Sequence, residues 1–323
     1  MGNNPYVSTQ CLNLAQGMAL LGSVMRLQLG DMRTEAELKA LAASLGTTPD
    51  VPREQRITNP KDALAIAQST LASLDIVSAK EPETLKGLRV SAIRELLTSV
   101  AQRISTQIRQ AMRERIWGLY VIIDPAATAQ RDPMDVAKAA IHGGARILQL
   151  RDKTRDKGDQ LPLAKALHDL CREHEVLYLI NDHADLARAI RADGVHVGQH
   201  DLPVAGARLA LTPEQILGRS NATLEEALES HAQGVDYIAV GAIYPTATKE
   251  HTRPAKLDTL RKVRATLKDP IVAIGGINSD NVAPVVEAGA DSISVISAVT
   301  LAPDPEKAAR ALVESIKAAG GKA

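Results

Sequence analysis

The chemistry of this sequence is concentrated in two acids and one hydroxyl-rich loop. Asn181-Asp182 and Asp201 lie in LINDHADLARAIRADGVHVGQHDLP, where each acid follows a short apolar run of strand character. Carboxylates at neighbouring strand ends suit Mg²⁺, a hard cation that takes oxygen ligands and often binds through one or two carboxylates plus substrate phosphates. Further along, GAIYPTATKEHTRP presents Thr246, Thr248 and Lys249 just past another apolar run. Hydroxyls beside an ammonium suit phosphate oxygens. Together these groups predict an enzyme acting on a diphosphate.

Positioning them requires elements, and the chain has two grammars. Residues 1–113 read as helix, turn, helix. CLNLAQGMALLGSVMRLQL and TEAELKALAASLG repeat apolar residues at three- and four-residue spacing, the second stopping at Gly46. A proline-punctuated polar loop, TTPDVPREQRITNP, precedes two further helical stretches, 61–77 and 86–116. Glycine-rich phosphate loops and metal-spaced clusters are absent there, and the pattern predicts a small helical domain used for packing or homo-oligomerisation. Residues 114–323 alternate strand-like runs with helical stretches.

Those runs (GLYVIID, RILQLRD, VLYLIND, GVHVG, QILGRS, YIAVGAI, PIVAIGG and SISVIS) give eight β/α units. About 200 residues is the compact limit of a (β/α)₈ TIM barrel. Strands rich in Val, Ile and Leu fit a parallel sheet covered by helices. No G-x-G-x-x-G follows the first strand, which disfavours an open dinucleotide-binding sheet.

Barrel active sites lie at the carboxyl ends of the strands. That rule gathers Gln149, Arg151 and Lys153 after the second strand, Asn181 and Asp182 after the third, and Asp201 beyond the fourth. Ser220 ends the fifth, Tyr244 to Lys249 follow the sixth, Gly275-Gly276 the seventh, and Ile296-Ser297 the eighth. Paired glycines after the seventh strand let backbone N–H groups approach a phosphate. The pieces predict two anion sites in one mouth. A diphosphate is held by Arg151, Lys153 and Mg²⁺, and a monophosphate by backbone N–H groups near Gly276 and Ser297. Blander readings stand beside these: Asn181-Asp182 as a helix cap, 151–153 as a solvated charge run, and His196 as a packed core residue. The polar segments 152–160 and 245–255 have the makeup of mobile lids.

Composition narrows the class. Lys and Arg total 38 and Asp and Glu total 38, so the net charge is zero and no general attraction to nucleic acid is expected. Cys11 and Cys171 offer neither a disulfide framework nor zinc spacing, which fits a reducing cytoplasm. No apolar run approaches the roughly 18 residues of a membrane span, and the N-terminus lacks the pattern of a secretory signal. The chain has no Phe, and Trp117 with five Tyr are its only aromatics. Its core must therefore be aliphatic, and an aromatic platform for base stacking is excluded.

QLRDK, the LINDHADL…GQHDLP stretch, YPTATK, AIGGI and SVISAV, taken in order, closely resemble the thiamine phosphate synthases, over essentially all of residues 116–315. The resemblance implies condensation of 4-amino-2-methyl-5-pyrimidinylmethyl diphosphate with thiazole phosphate, giving thiamine phosphate and pyrophosphate by a dissociative, Mg²⁺-assisted step. It implies that Gln149, Arg151, Lys153 and Asn181 hold the pyrimidine diphosphate and that Asp182 and Asp201 bind Mg²⁺. Ser220 would lie beside the diphosphate and Lys249 would contact its oxygens. Thr246, Ala247, Thr248, Gly276, Ile296 and Ser297 would line the thiazole phosphate side. Arg151, Lys153, Ser220 and Lys249 are thereby the expected catalytic groups. The helical half resembles, more faintly, a domain fused to some of these synthases and linked to pyrimidine phosphorylation. Gln16, Ala19, Gly22 and Ser23 stand at the positions where that domain carries acids and Arg, which points to a scaffold. Two alternatives remain at this stage: a thiazole tautomerase-like isomerase working by acid/base chemistry, and a catalytically silent binding protein.

Overall fold

A computed structural model of the chain describes residues 5–45, 57–80, 82–246 and 253–323. The chain forms two compact units, Met1–Ile108 and Arg109–Ala323. The first contains α1 (Pro5–Leu29), α2 (Met32–Ser44), α3 (Pro60–Lys80) and most of α4 (Val90–Arg113). Helical spacing in α1 places Leu14, Met18, Leu21 and Met25 on one face, and all four are fully buried. A Cβ on Gly17 would lie 2.0 Å from Thr70 Oγ1, so α1 and α3 meet where α1 has no side chain. Asp31 caps α2 by accepting from the Thr34 amide at 2.9 Å. Buried Glu35 is neutralised by Arg26 at 3.3 Å and Lys39 at 2.7 Å. The expected stop at Gly46 lies outside the described residues.

The second unit is a closed barrel of eight parallel strands paired in sequence order. Its strands are β1 (Gly118–Ile123), β2 (Ile147–Leu150), β3 (Leu177–Asn181), β4 (Gly194–Val197), β5 (Ile216–Asn221), β6 (Tyr237–Gly241), β7 (Ile271–Ile274) and β8 (Ser292–Val295). The return helices include α5 (Pro133–His142), α6 (Lys157–Glu173), α7 (Ala184–Ala189), α8 (Val204–Ala210), α9 (Leu224–Ala232) and α10 (Lys256–Thr266). After β7 and β8 come the short α11 (Ala283–Glu287) and α12 (Ser297–Thr300), and α13 (Pro305–Ala318) closes the ring. The fold is therefore a TIM barrel preceded by a helical region, as the alternating pattern predicted. Ile, Val, Leu and Ala fill the space between strands and helices, with Tyr178 buried among them and Tyr244 packed against that layer.

The floor of the barrel repeats one device. Asp193, Asp236 and Asp291 each precede an even-numbered strand and accept from the amide of the odd-numbered strand beside it. Their partners are Tyr178, Leu217 and Ile271, at 2.9, 2.8 and 2.8 Å. The carboxylates satisfy N–H groups the ladder leaves free at strand starts and thereby fix the strands' relative heights. That register sets the level at which the functional side chains emerge above.

Candidate active site

Inward residues of barrel strands stack in layers. Tyr120, Gln149, His196, Tyr237, Ile274 and Ser294 surround a small chamber in the barrel axis. Two residues further along several of these strands, Arg151, Gly198, Gly276 and Ile296 emerge in the mouth.

Two cavities of the mouth share a wall. The larger, about 1080 Å³, is lined by Asp124, Arg151, Lys153, Asn181, Asp182, Asp201, Ser220, Thr246, Gly276 and Ser297, among others. The smaller, about 420 Å³, is lined by Gln199, Arg253, Gly275, Gly276, Asn278, Ile296 and Ser297, with Ser220 and Thr246 again on its wall. Ser220, Thr246, Gly276 and Ser297 thus belong to both. Gln149 lines neither, standing one layer below in the axial chamber, where its Nε2 is buried without a hydrogen-bond partner. Ala247, Thr248 and Lys249 lie outside the described residues.

The charges of the larger cavity are paired. Arg151 bonds Asp124, Lys153 bonds Asp182, and Asp152 turns away to accept from the Thr154 amide at 3.1 Å and from Arg155 Nε at 2.5 Å. Within the run 151–153, Asp152 is buried and Arg151 half-buried, while Lys153 stays exposed beside Asp182. Asp152 ties a turn, and α6 already begins at Lys157, so the segment 152–160 is partly helix. Asp182 has a φ of 61°, a left-handed conformation uncommon outside glycine, and its amide donates to His196 O at 2.8 Å. Residue 183, not the Asn181-Asp182 pair, is the N-cap of α7, and no side-chain bond caps it. The capping explanation of these residues is thereby removed.

Asp182 and Asp201 lie close enough to shift each other's ionisation. Burial, then the neighbouring Asp201, pushes the Asp182 carboxyl up to about 6, against the pull of Lys153. Burial also works against ionisation of Asp201, but neighbouring Asp182 and the Gly198 amide, at 2.7 Å, hold its carboxyl below the usual range. Two neighbouring carboxyls form an oxygen donor pair that would suit a divalent cation. Among the described residues no cluster of three or more His, Cys, Asp or Glu could hold a metal. The donor set thus matches Mg²⁺ held by two carboxylates plus substrate oxygens, and does not match a fully protein-ligated site.

In the smaller cavity, glycine backbone at the end of β7 forms part of the wall. Gly275 and Gly276 have φ of 104° and 63°. A Cβ on Gly276 would lie 2.5 Å from Pro245 O, and one on Gly275 would lie 2.6 Å from Ala242 Cβ. Only glycine allows the β7 end to lie against the β6 loop. Arg253 reaches the same cavity and is held by Glu226 through contacts of 2.6 and 2.9 Å.

Sequence reasoning overlooked Asp124, Gln199 and Arg253. Asp124 could have been found, since it ends GLYVIID two residues past inward Ile122, as Arg151 follows Gln149. Gln199 had no such signal. Its bond to Ser220 O at 2.6 Å depends on the β4–β5 pairing. Arg253 is separated from Glu226 by 27 positions and is joined to it only through the fold.

A closed (β/α)₈ barrel with a two-chambered mouth at the carboxyl ends of its strands places the molecule among the TIM-barrel enzymes. A sequence model described as thiamine monophosphate synthase matches residues 119–299, and the chain belongs to that family, whose members are transferases. It is 44% identical to the thiamine-phosphate synthase of Moorella thermoacetica over 207 residues, 64% of this chain and 99% of that protein. A bifunctional thiamine biosynthesis protein of Geobacter sulfurreducens is 44% identical over 194 residues, which cover 60% of this chain and 39% of that one. A thiamine phosphate pyrophosphorylase structure from Pyrococcus furiosus superposes with a TM-score of 0.60 at 37% identity, covering 65% of this chain and all (100%) of that one.

Proposed function

We propose that the chain joins 4-amino-2-methyl-5-pyrimidinylmethyl diphosphate to 4-methyl-5-(2-phosphoethyl)thiazole, giving thiamine phosphate and pyrophosphate. The observation that carries this reading is the shared wall. A cation-bearing cavity and a glycine-backed cavity meet at Ser220, Thr246, Gly276 and Ser297, so two anionic ligands would face one another across a few ångströms of common surface.

The diphosphate occupies the larger cavity, with Arg151, Lys153 and Asn181 on its oxygens and Gln149 reaching up to the pyrimidine. The thiazole phosphate lies against Gly276, Ile296 and Ser297, with Thr246, Ala247 and Thr248 beside it and Lys249 at the diphosphate. Asp182 and Asp201 would hold Mg²⁺, which supplies charge neutralisation of the departing diphosphate. The methylene C–O bond breaks with its electron pair leaving on pyrophosphate, and the thiazole nitrogen lone pair forms the new C–N bond. No proton need be removed in this step, so the cations and carboxylates at the strand ends supply what it requires. The protein's own contribution is proximity, fixed charge and exclusion of water.

The helical region 1–113 is assigned a scaffolding role, and 114–323 the chemistry. A cytoplasmic setting is proposed with it; among the described residues no helix is long and apolar enough to cross a membrane. The test is to combine the protein with both substrates and Mg²⁺, and with each omitted in turn, and to separate the products by chromatography. Thiamine phosphate formed only in the complete mixture supports the reading, and none from folded protein rejects it.

A further inference from the structure

A hydrogen-bonded chain runs from the shared wall down into the barrel axis. Ser220 Oγ lies 2.8 Å from His196 Nε2, and His196 Nδ1 lies 2.9 Å from Tyr237 Oη. Tyr237 Oη is 3.4 Å from Tyr120 Oη. His196, Tyr237 and Tyr120 are 8%, 0% and 2% exposed. The sequence makes room for this arrangement at one point: a Cβ on Gly218 would lie 1.9 Å from Tyr237 Cζ, inside the ring.

A neutral imidazole carries one proton, and whichever ring nitrogen holds it is decided by the partner of the other. The tautomer decides what Ser220 offers to the cavity, because a hydroxyl has a single proton to give. With the proton on Nδ1, Nε2 accepts from Ser220, and the hydroxyl turns only lone pairs toward the mouth, which repel phosphate oxygens. With the proton on Nε2, imidazole donates to Ser220 Oγ and the serine proton is free to point outward.

The buried end of the chain selects between the two. Among the described residues the one hydrogen-bond partner of Tyr120 Oη is Tyr237 Oη. If Tyr120 donates to Tyr237, Tyr237 donates to His196 Nδ1, and every proton has an acceptor. Run the other way, the chain ends on a buried Tyr120 proton with none, a costly arrangement. Burial pushes both phenols well above their ordinary range, so neither ionises to change the count.

We propose, building on the synthase reading above, that His196 is a positioning residue: Tyr237 holds it in the Nε2–H tautomer, and it thereby turns the Ser220 hydroxyl into a donor for the departing diphosphate. Ser220 touches the substrate, while His196 and Tyr237 act through it.

Long-range ¹H–¹⁵N correlation spectra of the labelled protein read the tautomer without turnover. The Nε2–H form is expected in the wild type, with loss of that preference in Tyr237→Phe, which removes one oxygen and keeps the ring. In the synthase assay Ser220→Ala should lower kcat by roughly 10²-fold. Tyr237→Phe should lower kcat by roughly tenfold with the KM for thiazole phosphate unchanged, and should add nothing in the Ser220→Ala background, since its effect passes through that hydroxyl. His196→Gln, whose amide can stand where Nε2 stands, should recover most of what the shorter His196→Asn loses. An Nδ1–H tautomer in the wild type, or additive losses in the double variant, overturns the proposal. Should the wild type make no thiamine phosphate, the synthase reading fails by itself. The spectra, together with calorimetry of Mg²⁺–pyrophosphate, then decide this one. Binding weakened by Tyr237→Phe only when Ser220 is present supports it, and equal binding with and without the phenol overturns it.

Discussion

The Lys153 ammonium donates to the Asp182 carboxylate, so an expected diphosphate ligand and an expected metal ligand neutralise each other across the mouth. The contact joins β2 to β3 at one level of the barrel and spans 29 positions of sequence. On the proposed reading it also couples the two roles: entry of a diphosphate with its cation would exchange this ion pair for two others, a cation–phosphate pair and a metal–carboxylate pair.

The pH dependence of metal binding follows from Asp182. Its carboxyl rises from 3.8 to about 6, through burial first and Asp201 second. A raised acid binds its proton more tightly folded than unfolded, so ionising it removes stability as pH climbs through that window. Mg²⁺ requires the ionised form. The rise in melting temperature on adding Mg²⁺ should be largest near pH 8, shrink as pH falls through about 6, and be small near pH 5. An equal rise at both ends would contradict the metal assignment.

Lys153→Met should move that window. Lys153 lowers the Asp182 carboxyl, so its loss lets the carboxyl rise further. The midpoint of Mg²⁺-induced stabilisation should shift to higher pH, while the KM for the pyrimidine diphosphate increases. Steady-state kinetics and thermal melts across pH check both parts.

Gly276→Ala should separate the two ligands. The new methyl meets Pro245 O at 2.5 Å in a left-handed backbone, a strain of roughly 1–3 kcal/mol. The KM for thiazole phosphate should rise by roughly tenfold or more, the equivalent of about 1.4 kcal/mol. Pyrophosphate affinity, measured by calorimetry, should change far less.

Asp236→Ala tests the floor without touching the mouth. Asp236 is 4% exposed, accepts from the Leu217 amide at 2.8 Å and pairs with Arg208. Its removal strands the Leu217 amide and takes a carboxylate from Arg208 and Arg109, and should cost about 3 kcal/mol, read as a lower denaturant midpoint. Turnover per folded molecule should be unaffected.

Much of this architecture was legible because barrel strands announce themselves. Runs such as LYLIN and YIAVG end where Gly, Asp or Asn takes over, and the parallel-barrel rule then assigns those ends to one face. Arg151, Lys153, Asp182 and Asp201 emerged from that rule alone. What escaped were relations across strands and the depth of individual side chains. Gln149 sits a layer below the mouth because alternate strand residues face inward at successive heights. The Ser220–His196 bond exists because β4 and β5 pair with His196 opposite Gly218, a register that a separation of 24 positions does not reveal. His196 did prove a buried residue, as its setting in GVHVG suggested, but it is one with a polar task.

The coupling of two anion sites is read most directly by ³¹P NMR of the full reaction. With wild-type protein, Mg²⁺ and both substrates, the diphosphate signals should give way to pyrophosphate in step with thiamine phosphate, one for one, and omission of the thiazole phosphate should stop the growth of thiamine phosphate. Unchanged diphosphate in the complete mixture, or pyrophosphate release with no thiamine phosphate, would contradict it.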